Sequence, residues 1–411
     1  MEKTVLKRNI LEDLRNWESD SEGPLFLYGI KGVGKAFICR EFAEMHENFM
    51  YYEPEMSLIR SDLSEDFDPA GYIAEHFGLD PEALASNLLI LNETEKAQRF
   101  FSELLDFAIS QKCKWIFISD YDFTGDLKGL NRLRMFPLRF DEFLINLGYN
   151  EWYVSSISEN LIRKEKLPDI VHNNLISTFE EYIWTGGMPA VVVEYVREYR
   201  LSIRSAQIDS KLCAYSGLND IKDVTLKTKC TQILDTVDAQ LAKSNRKFMF
   251  NMIRNGVTYS MYSGAMDELI ERGLIIKLEE LSDERKFKVY YPEFSFNIPE
   301  SFDEITDVEF QLREENYILQ TLEQKGLNVK FWESGNRAEL PFIIEYNNKT
   351  IPVDYHGESR KLSKSLLSYR NRNGNDKALI FADSNFVDDH AFVSIPIYAV
   401  FCIEKLLEVL V

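Results

Sequence analysis

A chain of 411 residues is too long for one ordinary core, so two to four domains of roughly 100 to 150 residues each are expected. Its 45% apolar and 28% charged residues are the composition of a folded globular protein, and no membrane-spanning run is visible. The balance of 47 Lys and Arg against 67 Asp and Glu gives a net charge of -20, a field that disfavours wrapping of nucleic acid but leaves open a nucleotide held by backbone amides.

The opening stretch, "MEKTVLKRNILEDLRNWESD", has the spacing of an amphipathic helix studded with acids rather than of a secretory leader. Five cysteines (Cys39, Cys113, Cys213, Cys230, Cys402) are scattered without a CxxC pair, which argues against a disulfide framework or a zinc site and for buried thiols. A cytoplasmic location with no membrane contact is the resulting expectation.

"GPLFLYG" (Gly23 to Gly29) is a short apolar run bounded by glycines and predicts a buried strand. "KAFICREFAEMH" after it carries Phe37, Ile38, Phe42 and Met45 at helical spacing. Between them lies GxxxxGK, from Gly29 to Lys35. Strand, glycine-rich turn and helix are the setting in which backbone N–H groups converge on phosphate oxygens, so ATP or ADP is the expected cofactor. Gly29, Lys31, Gly32, Val33, Gly34, Lys35, Ala36 and Phe37 form the candidate binding set, with Lys35 meeting the β and γ phosphates. Position 36 calls for the Ser or Thr hydroxyl that holds magnesium and carries Ala36, whose methyl group coordinates nothing.

Two later strands compete to supply the acid of such a site. "NLLILNETE" (Asn87 to Glu95) ends in Asn92 and Glu93, and "KWIFISDYD" (Lys114 to Asp122) ends in Ser119 and Asp120. Composition does not choose between them. Past Phe143, "NLISTFEEYIWTGGMPAVVVEYVREY" predicts two helices around a Gly-Gly-Met-Pro turn. Helical runs then lead to "LIIKLEEL" and "KFKVYYP" across the turn "SDER", as in a winged helix. Lys243, Arg246 and Lys247 are its candidate phosphate contacts for DNA, but the acidic "DELIER" helix and the net charge favour an interdomain packing module. The last hundred residues alternate strands and helices: "NVKFWES", "ELPFIIEYN", "TIPVDYH", "SKSLLSYRNR", "KALIFAD", "VSIPIYA" and a closing helix.

On "LLILNETE", "WIFISD", "PLRFDEF" (Pro137 to Phe143) and "YIWTGGMP" (Tyr182 to Pro189), the chain resembles the prokaryotic AAA-family P-loop ATPases that carry a C-terminal DUF4143 domain. In that family the second strand ends in a DEIQ-like box, and the signatures read "PLSFEEF" and "Y..GGFP". The resemblance implies a multidomain α/β chain: an AAA-like P-loop NTPase domain at 1–165, a helical lid at 166–205, a winged-helix-like domain at 206–304 and a restriction-nuclease-like α/β domain at 305–411. It places Asn92 where the metal-binding Asp belongs and Glu93 where the family polarises the attacking water, which makes Glu93 the candidate catalytic residue of a degenerate site. Were Asp120 the ligand instead, only the hydroxyl would be lost.

In the C-terminal domain the resemblance expects an Asp in "EVDF" and a Glu and a Lys in "VEVK", entered by a helix with Glu-Asn. Here stand Glu315-Asn316, "ELPF" with Pro341, and "VDYH" with Asp354 and His356. Proline binds no metal, so an inactive nuclease-like domain is expected; Glu315, Glu339 and Asp354 could still gather around an ion, but ordinary surface acids are far commoner and are the favoured reading. His46, His76, His172 and His390 stand alone. The expectation is an ATP- or ADP-binding protein with weak or absent hydrolysis, no assured magnesium, and a protein partner or self-association. Its competitors are a scaffold that binds no nucleotide and an active magnesium-dependent ATPase using Asp120 or Glu93.

Overall fold

The structure is a computed structural model that describes residues 5–54, 67–197, 202–298, 306–335, 338–355, 362–374 and 377–410. His356 lies outside the described residues, as do the ends of several of the expected segments.

Among the described residues, two sheets organise the chain. The first is built from β1 (Leu25–Tyr28), β2 (Phe49–Tyr52), β3 (Leu88–Leu91), β4 (Trp115–Ser119) and β5 (Asn131–Arg134), all parallel, in the order β2-β3-β4-β1-β5. Its central strands read as unbroken apolar runs because both faces are covered. Leu25, Leu27, Ile90, Ile116 and Ile118 face one core, while Phe26, Leu89, Leu91, Trp115 and Phe117 face another. The principal helices are α1 (Ile10–Asp20), α2 (Lys35–Ala43), α3 (Gln98–Ser110), α4 (Phe140–Asn146), α5 (Asp169–Thr185), α6 (Pro189–Val196), α7 (Ile203–Tyr215), α8 (Val224–Leu234), α9 (Tyr259–Glu271), α10 (Asp307–Gln324), α11 (Lys364–Asn373) and α12 (Ile403–Leu410). Helix α3 covers the second face of this sheet with Phe100, Phe101, Leu104 and Leu105.

The second sheet has eight strands. They are β6 (Ile276–Glu280), β7 (Phe287–Tyr290), β8 (Asn328–Glu333), β9 (Glu339–Tyr346), β10 (Lys349–Tyr355), β11 (Ala378–Ala382), β12 (Val387–Asp388) and β13 (Phe392–Pro396), in the order β12-β13-β11-β10-β9-β8-β6-β7. The β6–β7 hairpin therefore does not stand alone at the end of the middle region. Strand β6 pairs in parallel with β8, Glu279 opposite Lys330 and Glu280 opposite Phe331, so hydrogen bonding runs across the 304/305 boundary. Pro341 sits in β9 at the register shift between Lys330 and Trp332, where a missing N–H breaks no regular ladder.

One core joins the two sheets. It runs from Leu25 and Ile118 through Phe140, Phe179 and Tyr182 to Ile318, Phe331, Phe342 and Phe381, with α12 closing it at Ile403 and Leu407. A smaller core under α11, with Trp332, Ile343, Leu366 and Tyr369, covers the outer face of the second sheet. The two sequence signatures meet inside the large core: Leu138 donates its N–H to Gly187 O at 2.7 Å, and the Tyr182 hydroxyl donates to Leu138 O at 2.7 Å. A Cβ on Gly187 would come 2.3 Å from Leu138 O, which is why the turn needs glycine there.

Candidate nucleotide site

The connection leaving β1 runs to the far edge at β2, and the one leaving β4 crosses over β1 to β5. Chains that depart in opposite directions open a crevice at the carboxyl ends of β1 and β4, the place where open parallel sheets bind ligands. The glycine loop occupies that crevice. It leaves β1 at Gly29, where a Cβ would collide with Met135 O at 2.1 Å, and enters α2 at Lys35 with Gly34 as the N-cap residue. Arg8 fastens the loop from outside: its guanidinium donates to Val33 O at 3.0 Å and Phe136 O at 2.6 Å, and pairs with Glu142 Oε1 at 3.1 Å.

A cavity of about 260 Å³ opens over α2 and the ends of β3 and β4. Of the candidate binding set, Lys31, Gly32, Gly34, Lys35, Ala36 and Phe37 line it; Gly29 and Val33 support the loop from behind and do not. Met188 and Cys213 approach Gly32 from the helical region, and a Cβ there would meet their side chains at 3.2 and 3.5 Å. Cys39, Cys113, Cys230 and Cys402 are buried; Cys213 is half-buried.

Lys35 is only 7% exposed and its ammonium folds back on its own loop. It donates to Gly29 O at 2.6 Å and Ile30 O at 3.3 Å, and pairs with Asp120 Oδ1 at 2.9 Å. Thus the strand adjacent to β1 delivers the acid that meets the lysine. The other candidate strand, β3, lies one place farther out; Asn92 and Glu93 at its end also line the cavity, but their side chains engage other partners. The Asn92 amide donates to Glu53 Oε1 at 3.2 Å, and the Glu93 carboxylate pairs with Lys96.

Glu93 also adopts a left-handed backbone, φ 54 and ψ 40, ahead of a short 3-10 turn over Thr94–Ala97. That twist brings in Glu95, a residue that reading the strand ends overlooks. Glu95 is 5% exposed and lines the cavity, and its Oε2 accepts the Asp120 N–H at 3.2 Å. Burial, and next the charge of Asp120, push its carboxyl up to about 7. The only clue in the sequence is a second acid two places after Glu93.

The donor set suits polyphosphate and not magnesium at the positions where the resemblance expects it. Glycine loop, helix N-terminus and lysine converge on one cavity. Ala36 has no oxygen to offer, Asn92 is turned to Glu53, Asp120 is committed to Lys35 and Glu95 to the Asp120 amide. Among the described residues no group of three or more His, Cys, Asp or Glu side chains could hold a metal ion.

The nuclease-like candidates are likewise engaged. Glu315 pairs with Arg246 and accepts the Tyr290 hydroxyl; Glu339 pairs with Lys288; Asp354 accepts the Tyr355 N–H at 2.9 Å and the Ser363 hydroxyl. Glu315 and Asp354 are buried rather than the surface acids that their sequence setting suggests. The cations weighed as DNA contacts have partners too: Lys243 donates to Gln240 Oε1 at 2.6 Å, Arg246 pairs with Glu315, and Lys247 pairs with Glu333.

No family model matches the sequence, and comparison with curated proteins finds no match. Among solved structures the chain is similar to a Signal Transduction ATPase with Numerous Domains (STAND) protein with a tetratricopeptide repeat sensor from Pyrococcus horikoshii. There the identity is 13% and the TM-score 0.30, over 79% of this chain and 46% of that one. A RuvB variant from Thermotoga maritima aligns at 11% identity and TM-score 0.30, over 69% of this chain and 92% of that one. Drosophila ORC bound to DNA aligns at 14% and 0.25, over 76% and 88%. The chain thus spans less than half the length of the STAND protein. At these scores the fold assignment stands on the parallel sheet and the strand-loop-helix unit themselves. No helix among the described residues is long and apolar enough to cross a membrane.

Proposed function

We propose that this chain is an AAA-like P-loop protein that binds ATP or ADP and hydrolyses it weakly or not at all. The observation that carries the reading is the cavity at the carboxyl ends of β1 and β4, into which the loop, the start of α2 and Lys35 converge while Ala36 and Asn92 supply no magnesium ligand. The set Gly29 to Phe37 is the binding element in this proposal. Glu93, tied to Lys96, is a poor water activator.

The proposed division keeps a P-loop unit at 1–165, a lid at 166–205, a winged-helix-like module at 206–304 and an inactive nuclease-like module related to DUF4143 at 305–411. The last two share one sheet and act as a single body. The middle module serves packing rather than DNA, because its three candidate cations are already bound within the protein. A protein partner or a second copy of the chain is the proposed target of the nucleotide state.

The test is thermal. ATP or ADP at 100 times its Kd should stabilise the native protein by about 2.7 kcal/mol. Lys35→Ala should abolish the shift without abolishing the cooperative melt. Phosphate release should stay near background with magnesium present. A shift that survives undiminished in Lys35→Ala would place the nucleotide outside this loop, and its absence at millimolar nucleotide in the native protein would return the chain to the scaffold reading.

A further inference from the structure

The Lys35–Asp120 pair occupies the lysine that the nucleotide reading reserves for phosphate. The pair is not a loose surface contact, since Lys35 is 7% and Asp120 15% exposed at the side chain. Asp120 is also held from behind. Its N–H is donated to Glu95 Oε2 at 3.2 Å, and the Thr94 hydroxyl anchors the neighbouring Ile118 O at 3.1 Å. Strand β4 therefore presents a carboxylate to the loop in a fixed position, with a second carboxylate, Glu95, lining the same cavity.

Resting on the nucleotide reading, we propose that Asp120 is an internal competitor of the phosphate groups: it satisfies Lys35 in the empty site and must surrender it when a polyphosphate enters. Two effects oppose the ligand. The ion pair must break, and an Asp120 left without its cation faces the incoming phosphates as a like charge at short range. Glu95 adds to the second effect, because it is buried with its Oε2 3.2 Å from the Asp120 nitrogen, where charges are weakly screened. The negative cavity wall thereby sets how tightly this loop holds a di- or triphosphate and penalises the phosphate part of the ligand selectively. An uncharged base and sugar meets none of this penalty.

The experiment is titration calorimetry in EDTA at pH 8 with ADP, inorganic tripolyphosphate and adenosine, on native protein and Asp120→Asn. The isosteric amide keeps an oxygen for Lys35 and removes the charge. Asp120→Asn should bind ADP and tripolyphosphate about tenfold or more tightly than the native chain, with adenosine unchanged. A merely structural role for Asp120 would not separate tripolyphosphate from adenosine. Equal or weaker ADP binding by Asp120→Asn, with the native protein binding ADP, overturns the proposal and leaves the nucleotide reading standing. If neither protein binds ADP, the nucleotide reading fails and takes the proposal with it. Should Asp120→Asn not melt cooperatively, Glu95→Gln decides in its place: it keeps an acceptor for the Asp120 N–H, should tighten tripolyphosphate binding in the same direction, and overturns the proposal if it does not.

Discussion

Glu95 is the residue whose environment departs furthest from its ordinary one in the candidate site. Burial and the neighbouring Asp120 raise its carboxyl to about 7 from an unfolded value near 4.5, so the native state binds its proton more tightly than the unfolded chain does. Between those two values the native state carries more protons, and stability falls as the pH rises through the window. Glu95→Gln removes that dependence. Urea midpoints at pH 5 and pH 8 should differ less in the variant than in the native chain, by roughly 2 to 3 kcal/mol of unfolding free energy. An identical pH dependence in both proteins would show that Glu95 is ionised at neutral pH and solvated in the cavity.

At the scale of elements, the glycine loop depends on a side chain that precedes the first strand. Arg8 reaches Val33 O, Phe136 O and Glu142 at once, and both members of the ion pair are 6% exposed. Glu142 in turn accepts the Asn9 N–H at 2.8 Å and the Arg139 N–H at 3.0 Å, capping α4. Arg8→Ala leaves two carbonyls without this donor and a buried carboxylate without its cation. The expected cost is about 3 kcal/mol in unfolding free energy, together with weaker ADP binding because the loop loses its outer tether. Arg8→Lys, which can meet one of the three acceptors but not all, should fall between. If Arg8→Ala lowers stability while ADP affinity stays the same, the tether holds the helix α4 junction and not the loop.

The whole molecule is braced by charges that cross between modules. Arg313 on α10 is buried and donates to Ile183 O at 3.1 Å and Trp184 O at 2.8 Å at the end of α5, and to Asn297 O at 2.7 Å. Burial pushes its pKa down to about 10, still well above neutrality, so the charge persists. Lys288 and Glu339 bridge the middle hairpin to the C-terminal sheet, with Lys288 only 1% exposed; burial lowers its pKa. Lys288→Ala should cost about 2 to 4 kcal/mol, because it strands a carboxylate, whereas Lys243→Ala should stay within about 0.5 kcal/mol. Since the nuclease-like candidates Glu315 and Glu339 are held in ion pairs and Asp354 in hydrogen bonds, incubation of single- or double-stranded DNA or RNA with magnesium or manganese should give no cleavage. Cutting that vanishes in Asp354→Ala would show that these contacts open to admit metal.

Local order was legible in the residues themselves. The apolar runs Leu25–Tyr28, Leu88–Leu91 and Trp115–Ser119 are strands because four or five successive large side chains can be buried only where a sheet is covered on both faces. A Cβ at Gly29 would collide with Met135 O, Gly32 and Gly34 hold the positive φ that other residues rarely adopt, and the helix after them follows from its periodic Phe37, Ile38 and Phe42. What the sequence could not decide is which acid the lysine meets, since Asp120 lies 85 residues from Lys35 and its claim depends on β4 rather than β3 standing beside β1. The left-handed turn at Glu93 that sets Glu95 against the Asp120 amide is likewise decided by packing, because a glutamate in that conformation is disfavoured and nothing in the chain alone calls for it. The same holds for Arg246 and Lys247 and for the acids Glu315 and Glu339. Read singly they look like phosphate contacts and metal ligands, and only the tertiary fold, which sets Arg246 against Glu315, Lys247 against Glu333 and Lys288 against Glu339 across long stretches of chain, neutralises them.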